Sequence, residues 1–141
     1  MQQSETQNPQ PQRPQILTVL CILSFIGSGF AGLSFLTIWA SYDEIIPLLA
    51  ESEQLLPGME WFVLAGRNFY LTGFILYFFS LFGVSLMWRM RKAGFHFYTG
   101  AQVMLALLPI VYIEGFPVSI LEWLVTAVFI ILYARFYRSF T

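Results

Sequence analysis

Of 141 residues, 57% are hydrophobic, 18% aromatic and only 11% charged, whereas a soluble domain carries roughly 45–50% apolar and about 25% charged residues. Seven basic and eight acidic side chains cannot clothe the surface of a water-soluble fold. The composition excludes a soluble enzyme, a nucleic-acid-binding domain and a disordered chain, and predicts an all-α integral membrane protein. The lone cysteine, Cys21, allows no intramolecular disulfide, and the lone histidine, His96, supplies neither a bis-histidine haem site nor a His-rich metal centre.

Residues 1–15, MQQSETQNPQPQRPQ, are dominated by Gln and Pro. Such a stretch has nothing to bury, so a disordered tail is expected, ahead of a membrane domain over 16–141. The tail lacks the basic n-region and small-residue cleavage site of a signal peptide. No charge falls between Ile16 and Trp39. That run exceeds the roughly 20 residues a bilayer requires, so a first transmembrane helix is expected over 16–40. Within it Ser24, Ser28 and Gly32 recur every fourth position, a small-residue seam that lets another helix come close.

The following connection, SYDEIIPLLAESEQLLPGMEW, places Ile45, Leu49, Ser52 and Leu56 on one helical face, opposite Glu51 and Glu53. An amphipathic helix over 43–57 is expected, with Pro47 in its first turn and Pro57-Gly58 ending it. Two roles stay open for it. It can lie on the outer membrane–water boundary, or it can present Leu49, Leu56, Glu51 and Glu53 to a partner subunit. Its acidity argues against attraction to anionic lipid.

Further spans are expected over 63–88, 94–113 and 117–137, giving a four-transmembrane-helix bundle. In the second, Gly66, Gly73 and Ser80 recur every seven residues, the spacing of a left-handed crossing near about +20°. Thr99, Gln102, Ala106 and Pro109 form a small or polar stripe on the third, and Ser119, Glu122, Thr126, Tyr133 and Tyr137 share a sector of the fourth. Lipid offers such stripes no hydrogen bonds, so they must face protein. Two ionisable groups, Arg67 and Glu122, lie inside spans near the same end. They are expected to pair. The pair either ties two helices together or forms a polar site for a substrate or ion, with Gln102, Thr126, Ser119 and Tyr133 around it, or Arg67 instead snorkels to the outer interface.

Six of the seven bases, Arg13, Arg89, Arg91, Lys92, Arg135 and Arg138, fall on one side of a four-span topology, while Asp43, Glu44, Glu51, Glu53, Glu60 and Glu114 fall on the other. The positive-inside rule then predicts both termini in the cytoplasm, and a bacterial inner membrane is the expected location. Trp39, Trp61 and Trp88 sit at the expected span ends, as interfacial indoles do.

No nucleophile–base pair, metal cluster, phosphate loop or paired carboxylate appears, so no catalytic residue and no cofactor is expected. The expected partners are membrane lipids and either another protein or a second copy, with no nucleic acid. The expected function is that of a non-enzymatic accessory, scaffolding or assembly subunit of a membrane complex. Two alternatives stay open: an oligomeric transporter of small solutes or ions using Arg67 and Glu122, and a lipid-binding membrane protein.

Overall fold

The architecture follows from a computed structural model, which describes residues 12–52 and 57–141. All regular structure among the described residues is helical: α1 (Gln15–Ala40), α2 (Tyr42–Ser52), α3 (Glu60–Leu64), α4 (Gly66–Trp88), α5 (Lys92–Tyr112), α6 (Ile120–Arg135) and a closing 3₁₀ turn, Tyr137–Ser139. Four of these segments, α1, α4, α5 and the one beginning at Ile120, are long and apolar enough to cross a membrane.

Helices α1, α4 and α5 form the body of the bundle. The α4–α5 hairpin turns through Met90, held at φ 59°, and its two helices approach until backbone meets backbone. A Cβ at Gly83 would sit 2.6 Å from the Tyr98 amide nitrogen, and one at Gly94 would sit 2.5 Å from the Gly83 carbonyl oxygen. Only hydrogen fits on those Cα atoms. The small-residue seam of α1 meets α4 in a comparable way. Ser28 and Ser80 bond through their hydroxyls at 3.0 Å, and a Cβ at Gly32 would lie 3.2 Å from that of Tyr77. Gly73 makes room for the Phe35 ring.

Two apolar clusters result, one at each end. Leu17, Leu20, Cys21, Val84, Met87, Tyr98, Tyr133 and Phe140 form the first, near the start of α1 and the closing 3₁₀ turn. Ala65, Phe69, Tyr70, Leu108 and Ile113 form the second, with Phe35, Trp39, Trp61 and Phe116 packed around it. The end around the first cluster carries Arg13, Arg89, Arg91, Lys92, Arg135 and Arg138, and the opposite end carries the acidic connections. The C-terminal residues fasten onto the basic end: the Thr141 amide donates to the Met90 carbonyl at 2.7 Å, and the Lys92 amide donates to the Thr141 carbonyl at 3.1 Å.

Several boundaries differ from expectation. The span expected over 63–88 is divided, because Gly66 takes φ 73° and separates α3 from α4. An ideal Cβ there meets nothing within 4 Å, so Gly66 serves backbone conformation rather than the packing seam expected of it. The amphipathic helix begins at Tyr42 and is described to Ser52. Glu53 and Leu56, half of the expected docking surface, lie outside the described residues. The last helix starts at Ile120, three residues beyond the expected Pro117, because Ser119 caps it by accepting from the Glu122 amide at 3.3 Å. Arg13, assigned above to a disordered tail, instead places its guanidinium carbon 3.9 Å from the centroid of the Trp88 ring.

Helix α6 stands apart. A third of the most apolar stretch of α1, α4 and α5 is buried within the protein, against 6% for the fourth segment. What holds α6 is concentrated at its C-terminal end, where Tyr133 is fully buried and shares a hydrogen bond with Ser24 at 2.8 Å.

Candidate functional site

The intramembrane pair expected between Arg67 and Glu122 is not assembled. Arg67 Nη1 lies 3.8 Å from Asp43 Oδ2, with both side chains substantially exposed, and its guanidinium carbon lies 5.5 Å from the Trp39 ring centroid. The reason is geometric. The Gly66 bend opens α4 beside the α1–α2 junction, so Arg67 leans over Trp39 and Asp43, while Glu122 belongs to a helix standing off the bundle. No ion pair joins Arg67 to Glu122 among the described residues.

The other residues of the expected polar site separate into three groups. Tyr133 is a structural anchor through Ser24. Ser119 caps α6. Gln102 donates to the Ser80 hydroxyl at 3.0 Å, which extends the Ser28–Ser80 contact into a three-helix polar chain across α1, α4 and α5. Thus residues expected as a ligand site and residues expected as packing seams belong to one network, because a buried hydroxyl with a single partner still has hydrogen-bonding capacity that Gln102 can use.

The gap left by α6 contains two adjoining cavities. The first, of about 280 Å³, is lined at mid-bundle by Ser24, Ser28, Tyr77, Gln102, Thr126 and Phe129, among others. The second, of about 340 Å³, lies toward the acidic end and is lined by Phe35, Trp61, Phe62, Phe69, Tyr77, Phe116 and Glu122 together with Gly58, Pro109 and Ile113. Tyr77 lines both. Of the expected site residues, Gln102 and Thr126 therefore face the first cavity and Glu122 the second, whereas Arg67 faces neither.

The walls of the second cavity are built from rings packed on one another. Phe35 contacts Phe69 and Tyr77 with centroids 5.5 and 5.4 Å apart, and Trp61 meets Phe116 edge-on at 5.7 Å. Tyr70, fully buried behind them, donates its hydroxyl proton to the Phe62 carbonyl and fixes α3 against α4. Sequence reading missed this aromatic chamber, since its rings come from α1, α3, α4 and the α5–α6 connection. The available signal was the 18% aromatic content, which does not say where rings converge. No group of three or more His, Cys, Asp or Glu able to hold a metal occurs among the described residues.

Compared with known proteins, the chain matches no family model, and no curated protein or solved structure is similar to it.

Proposed function

We propose that this chain is a non-enzymatic, four-span integral membrane protein that acts as an accessory or assembly subunit, binding a transmembrane helix of another protein along α6. The observation that carries this role is the scant burial of α6 within its own bundle. Lipid is as apolar as leucine, so helices in a bilayer associate through close packing and hydrogen bonds rather than through the hydrophobic effect. The first three spans satisfy that requirement with the Gly83–Gly94 approach and the Ser28–Ser80–Gln102 chain. Helix α6 does so only near Tyr133, leaving Leu121, Leu124, Val128 and Ile131 between 49 and 72% exposed. A partner helix supplies the packing that the bundle withholds. The grouping of six bases at one end supports an orientation with both termini in the cytoplasm, and the small size and short hydrophilic segments suit a bacterial inner membrane.

Site-specific photo-crosslinking in intact membranes tests the role. A photoreactive residue at Leu121, Leu124, Val128 or Ile131 is expected to give one discrete protein adduct, identified by mass spectrometry, while the same residue at Ile26 or Phe30 on the exposed face of α1 gives lipid adducts alone. Indistinguishable adducts from the two faces would overturn it.

A further inference from the structure

A partner on the outer face of α6 leaves the chamber behind that helix unused, and its chemistry is specific. Rings from Phe35, Trp61, Phe62, Phe69, Tyr77 and Phe116 surround about 340 Å³, and one carboxylate, Glu122, stands at the edge. No base occurs among the described residues that line it, because the candidate counter-ion Arg67 is turned toward Asp43 and Trp39. The chamber thus has a largely aromatic lining, one carboxyl group and no basic side chain among the described residues that line it.

These features select for ligand charge and for hydration. The quadrupoles of Trp, Tyr and Phe attract cations within about 6 Å of a ring centroid, most strongly where water is excluded. A small inorganic cation requires several oxygen ligands to replace its water, and this lining offers few beyond Glu122 and the Tyr77 hydroxyl. A bulky organic cation is weakly hydrated and exchanges its apolar surface directly for ring contacts. A second cavity of about 280 Å³ shares the Tyr77 lining and carries Leu23, Val125 and Phe129. The chamber itself, at about 340 Å³, falls within the roughly 300–1,000 Å³ of small-molecule sites. We infer that the aromatic chamber bearing Glu122 is a binding site for hydrophobic organic cations, with the positive centre against Glu122 and the rings. This site is independent of the partner proposed for α6, since the chamber lies on the inner side of that helix.

Equilibrium binding to the purified full-length protein in nanodiscs of uncharged lipid tests the inference with two probes of nearly identical shape and opposite charge, tetraphenylphosphonium and tetraphenylborate. Each is corrected for uptake by empty discs. Tetraphenylphosphonium is expected to show a saturable component and tetraphenylborate none. Glu122→Gln is expected to weaken cation binding about tenfold or more, the loss that follows from removing a charged partner. Trp61→Leu and Phe116→Leu weaken it several-fold, and Arg67→Gln leaves it unchanged. Saturable binding of both ions, absence of saturable cation binding to the wild-type protein, or cation affinity unaltered in Glu122→Gln would each overturn the assignment. The two-probe comparison on wild-type protein stands even if a variant fails to fold.

Discussion

The α4–α5 crossing offers the sharpest test of the bundle. Replacing Gly83 by Ala puts a methyl carbon 2.6 Å from the Tyr98 nitrogen, 2.9 Å from the Gly94 carbonyl oxygen and 3.0 Å from the Tyr98 Cα. All three are backbone atoms, so no rotamer change relieves the contact. Ordinary van der Waals separation begins near 3.4 Å, which requires the two helices to part by about 0.8 Å over their common length. Overpacking of this kind costs about 1–3 kcal/mol, only partly offset by the roughly 0.5–1 kcal/mol that alanine gains over glycine within a helix. Gly27 and Gly100 supply controls, since a Cβ at either meets nothing within 4 Å. The chain carries its own reporter: Cys21, its single cysteine, is fully buried and becomes reactive toward a thiol-specific fluorophore only on unfolding. Thermal scans in mild detergent with such a dye are expected to show Gly83→Ala and Gly94→Ala melting well below wild type, with Gly27→Ala and Gly100→Ala at or above it. Equal melting of Gly83→Ala and Gly27→Ala would refute the backbone contact between α4 and α5.

The same assay reads three further substitutions. Ser80→Ala strands both the Ser28 hydroxyl and the Gln102 amide and is expected to cost about 1–2 kcal/mol, whereas Ser34→Ala, whose hydroxyl bonds only the Phe30 carbonyl of its own helix, should have little effect. Phe140→Ala empties a site where the ring is 2% exposed and should cost about 3 kcal/mol; an unchanged melting temperature would show that the C-terminal fastening contributes nothing. Arg67→Gln and Asp43→Asn are each expected to shift stability by less than about 1 kcal/mol, as suits a pair with 48 and 86% exposed side chains. The double variant Arg67→Gln, Glu122→Gln should be additive within about 0.5 kcal/mol, and strong coupling between them would restore the intramembrane pair that the geometry excludes.

What the sequence discloses about this fold depends on how local the cause is. The apolar runs, the amphipathic stretch after Ala40 and the separation of acids from bases are properties of neighbouring residues, and the four long helices follow from them. The seam of Ser24, Ser28 and Gly32 is periodic and therefore legible, and all three are buried. Its partners are not legible. Ser24 meets Tyr133 across 109 positions and Ser28 meets Ser80 across 52, and one helix's periodicity does not name the face it meets. Gly66 and Gly83 illustrate the same limit within one helix. The seven-residue spacing selects Gly66, which has a conformational task, and passes over Gly83, where the backbone of α5 makes contact. Arg67 and Glu122 share a depth by residue counting, but depth leaves azimuth undetermined, and their directions around the bundle keep them apart.

The position of the cavities follows from how α6 is fastened. Tyr133 bonds Ser24, the Tyr137 hydroxyl lies 3.2 Å from His96 Nε2, Phe140 is buried against Leu17 and Met87, and Thr141 pairs with the α4–α5 turn. Every one of these ties belongs to the basic end. At the acidic end α6 has the Ser119 cap, and the Trp61–Phe116 contact joins the preceding connection to α3. The two cavities lie beside the part of α6 that these ties do not hold, the second of them toward Glu122. The first cavity, nearer the ties, is lined by hydroxyl and amide groups, of which Ser24 bonds Tyr133 while Ser28 and Gln102 both bond Ser80; the second, farther from them, is lined by six aromatic rings. The placement of the cavities on the inner side of α6 also makes the two proposed roles mechanically distinct. A partner helix presses on the outer face of α6, and a cation fills the wedge on its inner face, so the two can be tested without one masking the other.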